Sequence, residues 1–283
     1  MLIATKRLGL KQVVAVSLCF LFGTAIGLAG YYGGIPLEIR TWLRLGLAAV
    51  FLAALFIFRC KEPAWQTSLA FLAVISGMYA AGLIGNQPLD WLHIAANDAR
   101  GYAVLKIFEV LPIVLVIFLA VLMSGRGLAG LRLNGGRPVL SILGGLAVGA
   151  VLFAYFLTQG GWQVFQDGNL VQLLPAIGWI TIFSLFNSFM EELWFRGLFL
   201  SRFEWLLGPR WAFWLSALTF GLLHAFGSFT GTLGSLLLTL FTLLLGIAFS
   251  YIVQRTNNIW GAVAGHFFAD FFMMLGYFAT QKA

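Results

Sequence analysis

Residues 138–158 read PVLSILGGLAVGAVLFAYFLT, a run that contains no charged side chain. A helix needs about 20 apolar residues to cross the hydrocarbon core of a bilayer, and this run has that length and composition. Of the 283 residues, 61% are apolar and 10% are charged, whereas soluble proteins average about 45–50% and about 25%. These proportions predict a polytopic membrane protein and exclude a soluble globular, disordered or nucleic-acid-binding protein.

The same criterion, applied outward from this run, predicts roughly nine candidate membrane helices. They cover approximately residues 11–33, 42–58, 67–85, 105–123, 138–158, 173–200, 211–229, 232–254 and 258–279. The segment 86–104 is too polar to cross and is expected to form a short interfacial helix, with Trp91 and His93 at headgroup level. The predicted fold class is therefore all-α, a polytopic integral membrane bundle of about eight to nine transmembrane helices.

Lysine and arginine collect in alternate connections between these helices. The N-terminus and the connections after the second, fourth, sixth and eighth predicted helices are basic, and the net charge is +7. Basic connections stay on the cytoplasmic side, so the N-terminus is expected there and the C-terminus outside. Arg40, Arg44 and Arg100 do not follow the pattern. We expect an integral protein of a bacterial cytoplasmic membrane.

The last third of the chain carries ionisable residues inside apolar runs, where each costs about 2.5–3.5 kcal/mol or more. They are Glu191, Glu192 and Arg196 in SFMEELWFRGLFL (188–200), His224 in LTFGLLHAF (218–226), and His266 with Asp270 in AGHFFADFF (264–272). A single buried histidine or one Glu–Arg pair is often a packing device. A cluster on three helices indicates a functional site instead.

The spacing within the first run separates its two glutamates. Glu192 and Arg196 are four residues apart on one helix face, with the acid first, which favours an ion pair. Glu191 points about 100° around the helix from Glu192. Because Arg196 cannot serve both carboxylates equally, Glu191 is the one free to act on a water.

The depth of these groups follows from the helical rise of about 1.5 Å per residue. If the helix with both glutamates continues to about residue 206, Glu191 lies roughly 22 Å from its cytoplasmic end. His224 then lies about 20 Å and Asp270 about 18 Å from the same side. The groups share one level only if this helix is continuous.

In these residues the chain resembles the CAAX prenyl endopeptidase and bacteriocin-processing (CPBP or Abi) family of intramembrane proteases. That family has the motifs EExxxR, FxxxH and HxxxN or HxxxD on three separate membrane helices. The corresponding residues here are Glu191 to Arg196, Phe220 to His224 and His266 to Asp270. We therefore expect residues 138–283 to form a CPBP-like protease core and residues 1–137 to form transmembrane helices of unknown role.

The resemblance implies hydrolysis of a peptide bond of a membrane-associated substrate, either a prenylated CAAX-type protein or a hydrophobic leader peptide. Glu191 would be the general base that activates a water, assisted by His224. Glu192 and Arg196 would hold the first motif in place, and Phe220 would contribute to substrate binding.

By the same resemblance, His266 and the residue at position 270 would stabilise the oxyanion of the tetrahedral intermediate. Members with asparagine there can donate an amide N–H, but an ionised Asp270 cannot. It would have to be protonated, orient His266 or contact a metal.

Metal dependence stays open on the sequence. Two histidines and a carboxylate match the ligand types of catalytic Zn²⁺, so Glu191, His224 and His266 are candidate ligands for zinc or another divalent ion. There is no HExxH sequence, and a metal-independent glutamate mechanism fits equally well.

The sequence leaves two other function classes open besides the protease. One is a catalytically silent scaffold or regulator that binds a membrane partner. The other is an ion-coupled transporter, because intramembrane Glu, His and Asp also form proton relays, but the inverted repeats of transporters are not evident. The expected partners are the lipid bilayer and a membrane-associated protein or peptide substrate, with no nucleic acid. Oligomeric state and substrate identity are left open.

Overall fold

The computed structural model describes parts of residues 9–23 and residues 36–57, 63–78, 84–125, 127–166, 169–228 and 232–281. Across these ranges the chain is helical and contains no strand. The helices are α1 (Leu37–Ile57), α2 (Pro63–Gly77), α3 (Gln87–Leu92), α4 (Ala99–Met123), α5 (Pro138–Thr158), α6 (Asn169–Glu192), α7 (Ser201–Leu207), α8 (Pro209–Ser228), α9 (Leu233–Thr256) and α10 (Trp260–Gln281). The all-α polytopic bundle is confirmed.

Within the described ranges, six helices are long and apolar enough to cross a membrane. They are α1, α4, α5, α6 continued through α7, α9 and α10. Helix α8, the predicted span 211–229, is long enough but is not among them, because its tryptophans, Arg210 and His224 make it less apolar. The predicted span 11–33 lies mostly outside the described residues, as does the end of the predicted span 67–85.

The polar segment 86–104 divides between two helices. Its first part forms the short helix α3, which ends at His93 with the backbone in the left-handed region (φ 52°). The side chain of Asp98 then accepts a hydrogen bond from Gly101 N and caps α4, which begins at Ala99. The short helix expected here is present, and α4 begins six residues earlier than the predicted start at 105.

The helix with both glutamates runs without interruption from α6 to α7. A π-helical segment, Leu193–Leu200, joins them, and all eight of its residues are buried. π-Helical turns are rare and are found frequently at functional sites. The segment starts immediately after Glu192 and contains Arg196. The expected continuation of this helix to about residue 206 is confirmed, since α7 ends at Leu207.

Close packing of α5 against α10 positions the third motif. A Cβ on Gly145 would overlap the carbonyl oxygen of Gly261, so neither helix accepts a side chain at this crossing. Gly261 N donates to Ser141 Oγ (2.9 Å), which in turn donates to Asn258 O (3.0 Å). These contacts fix the N-terminal turns of α10, two turns before His266.

Candidate active site

The first motif forms a buried ion pair that also holds a histidine. Arg196 Nη1 donates to Glu192 Oε1 (2.9 Å), and Arg196 Nη2 donates to Gly246 O on α9 (3.2 Å). Both charged side chains are fully buried. The same Oε1 atom lies 2.8 Å from His266 Nδ1 on α10. Glu192 therefore links the first and third motifs, and the predicted Glu192–Arg196 pair is present.

The contact to Glu192 fixes the orientation of the His266 ring. A carboxylate accepts hydrogen bonds, so Nδ1 of His266 carries a proton and donates to Glu192. The opposite ring atom, Nε2, then faces two further acids. It lies 3.9 Å from Glu191 Oε2 and 3.7 Å from Asp270 Oδ1.

His224 has the same tautomer for a different reason. Its Nδ1 lies 2.9 Å from the backbone carbonyl of Phe220, one turn earlier on α8. A carbonyl oxygen only accepts, so Nδ1–H donates and Nε2 faces the site, 3.6 Å from Glu191 Oε2. The side chain is 30% exposed, which makes it the most accessible group of the cluster.

Glu191 lies where the three motifs meet. Its Oε2 atom is buried and has no hydrogen-bond partner among the described residues, although Nε2 atoms of His224 and His266 approach it from two helices. These separations are longer than a direct hydrogen bond. The convergence of Glu191, His224 and His266 that the sequence predicted is thus observed.

Asp270 has a partner that sequence analysis did not single out. Asn187 Nδ2 donates to Asp270 Oδ2 (3.0 Å), and both side chains are buried. Asn187 lies one helical turn before Glu191 on α6. An uncharged amide does not stand out in an apolar run, although the four-residue spacing places Asn187 on the same helix face as Glu191.

Phe220 is fully buried rather than open to a cavity. Its ring centroid lies 4.5 Å from that of His224 and 4.4 Å from the guanidinium carbon of Arg196. The side chain therefore packs the second motif against the first. Its predicted part in substrate binding stays a prediction.

The three candidate metal ligands supply suitable donor types but not a metal centre. Over the part of the chain that the structure describes, no group of three or more His, Cys, Asp or Glu residues is arranged to hold a metal ion. His266 Nε2 faces both Glu191 and Asp270, at 3.9 Å and 3.7 Å. Glu191, His224 and His266 stay candidate ligands, and the proposed glutamate mechanism is the one that needs no metal ion.

Comparison with known proteins gives a family match over the part of the chain that forms this site. No curated protein and no solved structure matches the chain. Residues 172–272 match the family model of the Rce1-like type II CAAX prenyl endopeptidases, and this interval contains all three motifs together with Asn187. The segment that forms the site is therefore similar to the Rce1-like CAAX prenyl endopeptidases, which confirms the resemblance seen in the sequence.

Proposed function

We propose that this chain is an intramembrane endopeptidase in which Glu191 is the general base. The substrate is a membrane-associated protein, of the prenylated CAAX type or with a hydrophobic leader peptide. One observation carries the proposal: Glu191 Oε2 is buried, lacks a hydrogen-bond partner among the described residues, and faces Nε2 of both His224 and His266.

The tautomer of His224 supports a water at this position. When this ring is neutral, its Nε2 atom and Glu191 Oε2 are both acceptors, so two lone pairs converge. A water placed between them supplies the missing hydrogens, and water bridges polar groups across such separations. Glu191 removes one proton as the water oxygen attacks the carbonyl carbon of the substrate. His224 Nε2, 3.6 Å from Glu191 Oε2, receives this proton from Glu191 and passes it to the leaving amine, so that the C–N bond breaks and the amine leaves neutral.

The other side of the site stabilises the tetrahedral intermediate. His266 lies between Glu192 at Nδ1 and Asp270 near Nε2, and two carboxylates favour the protonated ring. A protonated Nε2 donates to the developing oxyanion, a contribution of roughly 3–4 kcal/mol for one preorganised donor. In this arrangement Asp270 orients His266, and Asn187 fixes Asp270.

The first test compares wild type with Glu191→Gln. Purified proteins are incubated with prenylated C-terminal peptides and with a pool of hydrophobic leader peptides, and products are identified by mass spectrometry. Cleavage is expected with wild type and with Glu38→Gln, a matched substitution at an exposed residue on α1, but not with Glu191→Gln. Equal cleavage by Glu191→Gln would refute the assignment.

Chelation tests the metal-free mechanism. Because a water activated by Glu191 needs no metal ion, wild-type cleavage is expected to be unchanged after treatment with 1,10-phenanthroline or EDTA. Loss of cleavage that zinc restores would contradict this expectation and give Glu191, His224 and His266 the role of ligands.

A further inference from the structure

A polar cavity lies away from the catalytic cluster, at the end of the bundle where α7 and α9 end and α8 begins. Its volume is about 720 Å³. The residues that line it and carry the argument are Arg132, Ser201, Glu204, Trp205, Tyr251 and Arg255. None of them belongs to the three motifs.

Two buried donors in the wall of this cavity lack hydrogen-bond partners. Arg132 Nη2 pairs with Glu204, but Arg132 Nη1 has no partner among the described residues. Ser201 Oγ is also buried and has none within the same ranges. An unsatisfied buried donor costs about 1–3 kcal/mol. Two of them beside one cavity indicate a ligand that accepts hydrogen bonds.

The charge of the wall favours an anion. Glu204 is matched by Arg132, so Arg255 supplies a positive charge that this pair does not cancel. Its guanidinium lies 5.3 Å from the ring centroid of Tyr251 and is exposed. Arg137 and Arg210 are exposed at the same end of the bundle, which adds to the local positive potential.

The cavity lies at headgroup level. Helix α9 has 24 residues, about 36 Å at 1.5 Å per residue, and so exceeds the roughly 30 Å hydrocarbon core. Its last turn, with Arg255, therefore reaches the membrane surface. Trp205 and Tyr251 are both exposed beside the cavity, and such aromatic residues are typical of the membrane–water interface.

We propose that this cavity binds the phosphate of an anionic phospholipid headgroup. Ser201 Oγ and Arg132 Nη1 donate to phosphate oxygens, and Arg255 provides the compensating charge. Basic cavities between membrane helices are suited to such headgroups. The site is separate from peptide hydrolysis and stands whether or not Glu191 is a catalytic base.

The test uses the full chain in nanodiscs of phosphatidylcholine, alone or in equal parts with phosphatidylglycerol. Native mass spectrometry after release counts the phosphatidylglycerol that stays bound. Arg255→Gln is expected to weaken retention about fivefold, the effect of one arginine near a headgroup, and Arg255→Gln with Ser201→Ala is expected to weaken it further. Arg132 is left intact because its substitution would also remove the ion-pair partner of Glu204.

The matched control is Arg210→Gln, which removes an exposed arginine at the same end but outside the cavity lining. It is expected to retain phosphatidylglycerol as wild type does, and circular dichroism verifies that each variant is folded. Equal retention by all proteins, or equal loss in Arg210→Gln, would overturn the proposal. Displacement of the lipid by inorganic phosphate alone would overturn the lipid assignment in favour of a soluble anion.

Discussion

At the scale of single residues, the site is a relay of carboxylates and imidazoles with fixed hydrogen-bond directions. Glu192 fixes one ring through Nδ1 of His266, and the Phe220 carbonyl fixes the other through Nδ1 of His224. Both Nε2 atoms are thereby turned toward Glu191 Oε2. The acid–base role proposed for Glu191 would thus depend on Glu192 and on the Phe220 carbonyl, which orient the two rings.

Asn187 and Asp270 give a prediction that separates positioning from folding. Asn187→Ala should lower kcat by up to about 10²-fold, the effect of a small misplacement of reacting groups, with KM little changed. Asn187→Asp places a second carboxylate against Asp270 and should lower kcat further. The double variant Asn187→Asp with Asp270→Asn exchanges the positions of the amide and the carboxylate, which restores the pair, and should recover cleavage. Equal kcat in wild type and Asn187→Ala would contradict this role.

The Glu192–Arg196 pair gives a prediction about stability. Removing one partner of a fully buried pair leaves an uncompensated charge and costs about 3–5 kcal/mol. Arg196→Met should therefore strongly lower the midpoint of thermal unfolding in detergent. The double variant Glu192→Met with Arg196→Met should lower this midpoint less than either single substitution does. The control is Arg210→Met, at an exposed position. A wild-type midpoint for Arg196→Met would disprove the structural role.

Most residues of the candidate site could be picked out from the sequence, because they are ionisable and lie inside apolar runs, where burying a charge costs free energy. The i, i+4 spacing indicated the Glu192–Arg196 pair, which the structure contains. The same reasoning could not reveal the contact between Glu192 and His266, because it depends on how α10 packs against α6. Asn187 was missed because an uncharged amide does not stand out in an apolar helix.

At the scale of elements, two features bring the motifs together. The π-helical segment continues α6 into α7 and buries Arg196. Glycines let α5 and α10 touch along their backbones. Helix ends were harder to predict from the sequence. Asp98 caps α4 before the predicted start, because a side-chain cap can begin a helix upstream of its apolar run.

The α5–α10 crossing yields a prediction for paired glycines. In Gly145→Ala the new Cβ would overlap the Gly261 carbonyl oxygen. Backbone atoms cannot move aside as a flexible side chain can, so overpacking of this kind lowers the free energy of unfolding by about 1–3 kcal/mol. Gly178→Ala on α6 meets nothing within 4 Å and should be neutral or stabilising. Thermal unfolding measures both, and equal midpoints would contradict the predicted contact.

At the scale of the whole molecule, arginines concentrate at one end of the bundle, although Arg100 lies at the opposite end, at the start of α4. Arg132, Arg137, Arg210 and Arg255 lie at one end, while the described residues 159–166 at the other carry no charge. The positive-inside rule predicts that the arginine-rich end faces the cytoplasm. The division into residues 1–137 and 138–283 stays a prediction, since α4 packs directly against α6.

The orientation is tested by cysteine accessibility after Cys19 and Cys60 are replaced by serine. Asn257→Cys, exposed at the arginine-rich end, should react with a membrane-impermeant maleimide only after the cells are permeabilised. Gln159→Cys, exposed at the opposite end, should react in intact cells. The reverse labelling would contradict the predicted orientation.

The most direct test of the central claim measures chemistry and binding separately. Once a cleaved peptide is known, its single-turnover cleavage rate and its Kd are measured for wild type and Glu191→Gln. If Glu191 is the general base, the rate should fall by about 10²-fold or more, while Kd stays within about twofold, under half a kcal/mol. An unchanged rate, or a loss explained entirely by weaker binding, would contradict the account.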